Sequence, residues 1–168
     1  MRPDETGTGT RAMAPPEPQE SNDFLVAHAM RLVASHLRLT GRALLPDGAA
    51  AEVARALYHA PFVVLSHDTG DDPVFTYANL AAQERFELPW AEIVGMPSRF
   101  SAEPLARDER QRLLERVARD GYIDDYSGVR IAKSGQRFLI RRATVWNLVD
   151  ANGGKTGQAA TFSDWQAL

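Results

Sequence analysis

The sequence of 168 residues contains no cysteine and carries no excess of basic residues. Without cysteine, the chain cannot form disulfide bonds, thiolate metal sites or thiol nucleophiles. The formal net charge of −3 argues against a nucleic-acid-binding domain, because such domains usually carry a basic excess. No apolar run approaches the ~20 residues of a membrane span, and the polar N-terminus lacks the apolar core of a signal peptide. We therefore expect a soluble, cytoplasmic protein that binds neither nucleic acid nor membrane.

The chain divides into a polar tail, a helix and one domain. Residues 1–20 are rich in proline and polar residues, which cannot bury enough apolar surface to offset their chain entropy, so we expect a disordered tail. Residues 21–45 are expected to contain an N-terminal helix that runs from about Asp23 to Leu39. Residues 46–168 then form the main domain, and a hydrophobic fraction of 44% is enough for its single core.

The pattern of the main domain predicts an α+β fold with a five-stranded antiparallel sheet. Helical patterns cover Ala49–Tyr58 and Asp108–Arg119, and Gly121 follows the second helix as a C-cap. Runs of β-branched and aromatic residues, separated by turn sequences such as Lys133-Ser134-Gly135, predict the strands. These strands are expected near residues 62–66, 74–77, 122–132, 136–149 and 157–165.

The segment Pro73–Pro104 has the order strand, turn, short helix, turn, short helix. The spacing from Val74–Tyr77 through Asn79 to the step Glu92–Gly95 resembles the first half of a PAS sensor domain. That resemblance implies a module that binds a ligand or relays a signal and is rarely a catalyst.

Longer blocks resemble one branch of the PAS-like domains, the MEKHLA domain. The similar blocks are APFVVLSHD (Ala60–Asp68), YANLAA (Tyr77–Ala82), PSRFSAEP (Pro97–Pro104), GYIDDYSGVRIAKSGQRF (Gly121–Phe138), VWNL (Val145–Leu148) and GQAATFSDW (Gly157–Trp165). Together they cover roughly residues 42–166. This module stands alone in bacterial proteins and lies at the C-terminus of class III homeodomain–leucine-zipper plant transcription factors. The resemblance implies a PAS-like sheet with helices on one face and an N-terminal helix, in a sensory or protein-interaction role.

The run Gly95–Phe100 lies where blue-light flavin-binding PAS domains carry the motif G-x-N-C-R-F. The cysteine of that motif attacks the excited flavin, and here Ser98 stands in its place. A serine hydroxyl is a far poorer nucleophile and proton donor for this step. The positions of the flavin-binding amides correspond to about Ile140 and Ala159, which offer no amide. We therefore expect no bound cofactor and in particular no flavin, while Ser98 stays a candidate ligand contact.

The strand Gln136–Val149 alternates, and one of its faces is predicted to line the PAS cavity. That face comprises Phe138, Ile140, Arg142, Thr144, Trp146 and Leu148. Arg142 is then an arginine among apolar neighbours, and a buried charge must be paired. Two interpretations stay open: the guanidinium clamps a carboxylate or phosphate ligand, or it forms a salt bridge with Glu84, Asp124 or Asp125.

Other side chains are candidate ligand contacts, each with a structural alternative. Trp146 and Tyr126 either line a pocket with their flat faces or are core aromatics whose polar tips find partners. Asn79 follows a strand, so it either holds a turn or lies at the rim of the cavity. Thr144 shares the predicted cavity face with Arg142.

Catalytic and metal-binding patterns are weak in this sequence. Ser66-His67-Asp68 contains the residue types of a catalytic triad, but neighbours on a strand point to opposite faces. The histidines lack metal-ligand spacing, so we expect no metal. We therefore expect a non-catalytic module that binds a small ligand or a signalling protein. Two alternatives remain: an isomerase-like enzyme that uses the same cavity, and a purely structural dimerisation module.

The N-terminal helix has an apolar stripe wider than one contact requires. One row is expected to pack on the outer face of the sheet: Leu25, Ala29, Leu32, His36 and Leu39. The part of the sheet below it is expected to be Leu139, Ala143, Val145 and Val149. An adjacent row is expected to meet a second copy of the chain: Val26, Met30, Val33 and Leu37. We therefore expect a two-fold homodimer, the commonest oligomer.

Overall fold

A computed structural model of the protein describes residues 15–102 and 107–168. Within these residues the α-helices are α1 (Val26–Thr40), α2 (Ala50–Tyr58), α3 (Leu80–Phe86), α4 (Trp90–Ile93) and α5 (Arg107–Asp120). The strands are β1 (Val63–His67), β2 (Phe75–Ala78), β3 (Tyr122–Ile131), β4 (Arg137–Val149), β5 (Lys155–Phe162) and β6 (Asp164–Ala167). Short 3-10 helices cover Glu20–Leu25 and Ser98–Ser101.

The strands form one antiparallel sheet in the order β2-β1-β5-β4-β3, and β6 pairs with β4 beyond the end of β5. This arrangement confirms the predicted α+β class, the antiparallel sheet and the N-terminal helix. The predicted final strand is split, because β5 ends at Phe162 and the chain resumes pairing with β4 only from Asp164. The helices predicted at Ala49–Tyr58 and Asp108–Arg119 correspond to α2 and α5.

The two faces of the sheet carry different helices, which neighbouring residues of β4 make clear. The indole of Trp146 meets the imidazole of His36 on α1 edge-on, with ring centroids 4.9 Å apart. Val145 instead belongs to a small core cluster with Val117 of α5 and Ile123. Because adjacent strand residues point to opposite sides, one side of the sheet is an α1 face and the other an α5 face.

A β-bulge at Arg141 and Arg142 shifts the alternation of β4. Ala143 pairs with Tyr126 and Ile140 pairs with Gly128, so β4 has one residue more than β3 between these pairs. Arg142 lies in the left-handed region with φ 51°. Such an extra residue moves every later side chain to the other face.

The bulge overturns the predicted face assignment of this strand. Phe138 packs against Phe86 of α3, with ring centroids 5.3 Å apart, and the register across the bulge places it on the same side of the sheet as Ala143 and Val145. Beyond the bulge, Trp146 and Leu148 lie on the α1 face instead. The expectation that all even positions line one cavity is therefore wrong. The expected position of Ala143 and Val145 beneath the N-terminal helix is also wrong, because Val145 contacts the α5 cluster.

The N-terminal helix begins later than expected, at Val26 rather than Asp23. Three consecutive residues before it, Asp23, Phe24 and Leu25, have φ of 50°, 53° and 53°. This left-handed turn is unfavourable for residues with a Cβ. The buried ring of Phe24 offsets it by packing on Tyr58 and His59, at centroid distances of 6.3 and 5.8 Å. The turn thus anchors the start of α1 to the end of α2.

The described part of the predicted tail, residues 15–20, lies against the domain. The indole Nε1 of Trp90 donates a 2.7 Å hydrogen bond to the carbonyl of Pro15. The hydroxyl of Tyr58 donates to the carboxylate of Glu17. These contacts correct the C-terminal limit of the predicted tail, while residues 1–14 lie outside the described residues.

The C-terminal ends of α1 and α5 meet at one glycine. Gly121 ends α5 with φ 81°, and its amide donates 2.9 Å to the carbonyl of Val117, which confirms the predicted C-cap. A Cβ at this position would lie 2.7 Å from the Cδ2 of Leu39 at the end of α1. Glycine is thus favoured by the backbone conformation, and a larger residue would also have to displace the end of the Leu39 side chain.

Candidate functional site

Arg142 does not lie in a cavity. Its side chain is 82% exposed, and its Nη2 donates a 2.8 Å hydrogen bond to Asp164 Oδ2. Arg141 contacts the same carboxylate at 3.3 Å, and together the two guanidinium groups lower the pKa of Asp164. The predicted burial of Arg142 is therefore wrong. Its partner is also none of the acids expected from the sequence, because the bulge turns the side chain outward.

Asn79 is a structural clamp. Its Oδ1 accepts hydrogen bonds from the amides of Val64 and Ala82, each 3.0 Å long. Its Nδ2 donates to the carbonyls of Leu57 and Phe62 at 3.1 and 2.9 Å. The side chain is fully buried, and both of its polar atoms are used by the protein itself. It therefore joins α2, β1 and α3, in agreement with the structural alternative.

The remaining predicted contacts lie apart from one another. Trp146 is fully buried beneath α1, where its Nε1 donates 3.3 Å to the carbonyl of Leu32. Thr144 pairs with Thr161 in the middle of the sheet. Tyr126 lies on the α5 face, where its hydroxyl accepts a 3.1 Å hydrogen bond from Arg130. Ser98 begins a 3-10 helix beside Pro73. The structure does not bring these side chains together in one site.

A groove of about 620 Å³ lies instead on the α1 face, between the start of α1 and the edge strand β2. We call it the α1–β2 groove. Its walls come from both elements, from the segment after α4 and from the ends of β4 and β5. The lining residues are Pro15, Asn22, Leu25, Val26, Ala27, His28, Arg31, Val74, Phe75, Thr76, Val94, Gly95, Leu148 and Thr156. Its volume is within the roughly 300–1,000 Å³ typical of small-molecule sites.

A chain of hydrogen bonds begins at His28 in the groove. His28 Nε2 lies 3.0 Å from Ser66 Oγ, and Ser66 Oγ lies 2.8 Å from Thr76 Oγ1. Ser66 is fully buried, whereas Thr76 and His28 both line the groove. The buried hydroxyl therefore holds two groove side chains in fixed positions.

The imidazole of His28 is held in its neutral form. Burial lowers its pKa from 6.5 to about 4, and the nearby positive charge of Arg31 acts in the same direction. The ring stacks on Tyr77 with centroids 5.6 Å apart. The Tyr77 hydroxyl is buried without a hydrogen-bond partner among the described residues, and burial raises its pKa. Near pH 7 the groove thus contains an uncharged imidazole.

Arg31 is the one charged side chain among the described residues that line the groove. It lies one helical turn after His28 and is exposed. Among the described residues it takes part in no ion pair, and no Asp or Glu lines the groove. The groove is therefore mainly apolar and carries a positive charge.

The residues missed by sequence analysis are far apart in the chain. His28, Thr76 and Thr156 come together only because α1 crosses the sheet. One usable signal was present: His28 interrupts the apolar stripe of the N-terminal helix. Sequence alone did not indicate that its partner is Ser66, 38 residues further on.

Within the described part of the chain, no group of three His, Asp or Glu side chains could hold a metal ion. None of the helices in residues 15–102 and 107–168 combines the length and apolarity that a membrane span requires.

The residues present do not fit the light-driven chemistry of flavin-binding PAS domains. That chemistry needs a thiol, and the whole chain lacks cysteine. On the α5 face, Phe86 packs against Phe138, and Tyr126 folds over Gly128 to reach Arg130. The expected absence of a bound flavin stays a prediction.

Solved structures of PAS and light-oxygen-voltage proteins share this fold. The PAS domain of a protein from Colwellia psychrerythraea superposes with a TM-score of 0.58 and 13% identity, over 67% of this chain and 93% of that chain. An RNA-binding light-oxygen-voltage receptor gives 0.60 and 20%, over 71% of this chain and 36% of that chain. The photo-excited blue-light photoreceptor Vivid gives 0.55 and 16%, over 79% and 94%. At these identities the likeness establishes the fold alone.

No curated protein matches the chain. The family model of the MEKHLA domain matches residues 26–167, which include every helix and strand from α1 to β6. The match begins at the first residue of α1, so the N-terminal helix is part of the family's domain. The chain therefore belongs to the MEKHLA domain family, a PAS-like sensory family.

Proposed function

We propose that this domain is a sensory module that binds a small molecule in the α1–β2 groove and acts without catalysis. The observation that carries the proposal is the groove itself, about 620 Å³ in volume and lined mainly by apolar residues. A few fixed polar groups, among them His28 and Thr76, add the directional contacts typical of ligand sites.

Helix α1 links the groove to the outside of the domain. Its residues Val26, His28 and Arg31 line the groove. The same helix carries the row expected to meet a second copy, in which Leu37 is 48% exposed. Val26 belongs to both sets. A ligand that favours one position of α1 would therefore change the surface offered to a partner.

The hydrogen-bond chain supports binding rather than catalysis. A nucleophile must reach its substrate, and Ser66 is fully buried. His28 is neutral, but its Nε2 is already engaged by that buried hydroxyl. These hydrogen bonds are thus suited to orient a bound molecule in the groove.

A matched pair of variants tests the site. Ala27 and Ala34 are both exposed on α1, but only Ala27 lines the groove. Native mass spectrometry of the gently purified full chain should detect a small molecule bound to the wild type and to Ala34→Trp. The indole introduced by Ala27→Trp should occupy the groove and remove that molecule.

Loss of the ligand from both variants, or from neither, would count against the groove as the site. A ligand-free wild type that also binds none of a small-molecule library in thermal-shift assays would overturn ligand sensing.

A second candidate function, a dimerisation or protein-interaction module, is favoured by the partly exposed apolar row on α1. Leu37 is 48% exposed, and Val26, Met30 and Val33 are only half-buried. A second copy of the chain is the partner that this row fits best. A stable dimer that never binds a small molecule would favour this function.

A further inference from the structure

We infer that the ligand of the α1–β2 groove is a small carboxylic acid with an apolar body, whose carboxylate pairs with Arg31. This inference rests on the proposed function and adds the chemical class of the ligand.

The first argument is the charge balance of the groove. Arg31 contributes one positive charge, and none of the lining residues is acidic. Arg31 also has no ion-pair partner among the described residues, so its guanidinium is available to a ligand. Guanidinium binds carboxylate through two parallel hydrogen bonds, which favours a planar monoanion.

The second argument is the state of the imidazole beside it. His28 is uncharged near pH 7 because it is buried and because Arg31 is close. The groove therefore presents one positive charge rather than two. A phosphate monoester carries nearly two negative charges at this pH, so a monoanion matches the groove better.

The third argument is the apolar part of the wall. Leu25, Val74 and Phe75 line the groove together with Val94 and Leu148. These side chains come from four different segments of the chain and line a space of the size of a small organic molecule. An alkyl or aryl body would gain about 25 cal/mol for each Å² of apolar surface that it buries here.

The test compares matched probes on the full chain. The probes are 4-phenylbutanoate, the uncharged 4-phenylbutanamide and the cationic 4-phenylbutylamine, titrated by isothermal calorimetry near pH 7. We expect the carboxylate to bind about tenfold more tightly than the amide, as one charge-assisted pair predicts. The amine should bind more weakly than the amide.

Variants of Arg31 locate the effect. Arg31→Gln should lower the affinity for the carboxylate about tenfold and leave the affinity for the amide unchanged. Arg31→Lys should restore part of the loss, since lysine keeps the charge but loses the two-pronged geometry. Arg38→Gln is the control, because Arg38 is exposed on the same helix and does not line the groove. It should behave like the wild type.

The outcomes separate this inference from the proposed function. Equal affinity for carboxylate and amide, or equal effects of Arg31→Gln and Arg38→Gln, would overturn the acid class and leave groove binding intact. If no probe binds while a copurified molecule is displaced by Ala27→Trp, the acid class is also wrong. If no probe binds and nothing copurifies, both proposals fail together.

Discussion

The two faces of the sheet differ in how their helices are attached. On the α5 face, Val145 packs in a small cluster with Val117 and Ile123. On the α1 face, the fully buried Trp146 lies beneath α1, and the α1–β2 groove opens beside it. From the sequence, the ligand cavity is expected on the face of residues 136–149 that contains Phe138 and Trp146, opposite the face expected beneath the N-terminal helix. The groove described here lies on the face covered by the N-terminal helix.

The difference depends on one inserted residue. Because of the bulge at Arg141 and Arg142, the side chain of Phe138 lies on the α5 face and that of Trp146 lies on the α1 face. Without it, both large aromatics would lie on one side. A sheet whose long strand changes phase can thus support a core on each face.

Replacing Trp146 should have the largest effect. The variant Trp146→Ala removes a ring with no exposed surface and should lower the free energy of unfolding by about 3–5 kcal/mol. Its neighbour provides the comparison across the sheet: Val145→Ala removes only two methyl-sized groups, at about 0.8 kcal/mol each. Urea unfolding of both variants measures the two values.

If the two variants lose equal stability, the α1 face is not a principal core. A fold in which α1 is a detachable cover would predict a small loss for Trp146→Ala, together with a native-like sheet by circular dichroism.

The pH dependence of stability tests whether the imidazoles of the α1 face are neutral in the folded state. The pKa of His28 is about 4 in the folded chain and 6.5 when unfolded, so the unfolded state binds more protons between these values. Stability from this group is therefore complete above pH 6.5 and is lost as the pH falls toward 4, by about 2–3 kcal/mol. His36, whose pKa burial also lowers, acts in the same direction.

The variant His28→Gln should reduce this dependence while His36 maintains the rest. Urea unfolding at pH 7.5 and pH 4.5 gives the difference for each protein. Parallel pH profiles for the wild type and the variant would show that the fold does not hold His28 in its neutral form.

A substitution at the bulge of β4 should change the free energy of unfolding less than the preceding variants do. Arg142 has φ 51°, where glycine is favoured, so Arg142→Gly should raise stability by about 0.5–1 kcal/mol before any loss from its ion pair. That pair is exposed and contributes roughly 0–1 kcal/mol. The control is Arg141→Gly, which loses a pair to the same Asp164 but has no left-handed conformation to relieve. Arg141→Gly should be the less stable of the two, and the reverse order would contradict the bulge.

The smallest effect on stability is expected from a substitution that separates the two copies of the predicted dimer. Leu37 is the exposed member of the row expected to meet a second copy, so Leu37→Glu should dissociate a dimer while shifting stability by less than about 0.5 kcal/mol. Sedimentation velocity at tens of micromolar measures the mass, with Arg38→Glu as a control outside the row. A wild type that sediments as a monomer would remove this face as an interface between copies.

The order of elements could be predicted from local signals in the sequence. The turn at Lys133-Ser134-Gly135 and the cap at Gly121 mark element ends by their own chemistry. The buried row of α1, with Ala29 and Leu32 fully enclosed, follows from helical spacing.

The face assignments could not be predicted in the same way. An arginine in the left-handed region has no local signature, so the bulge was hidden, although two adjacent arginines between apolar Ile140 and Ala143 hint at a change of phase. The ion pair between Arg142 and Asp164 and the groove around His28 depend on contacts between distant segments. Such contacts arise from tertiary packing and are not visible in the hydrophobic periodicity of the sequence.

The meeting of Leu39 with Gly121 has a mechanical consequence. Leu39 lies in the last turn of the helix on one face, Gly121 follows the last turn of the helix on the other, and the two are close because Gly121 has no Cβ. The C-terminal ends of α1 and α5 are therefore in direct contact. A shift of α1 should therefore displace the last turn of α5 through this contact. Ligand binding at the start of α1 should accordingly change the deuterium uptake of the last turn of α5.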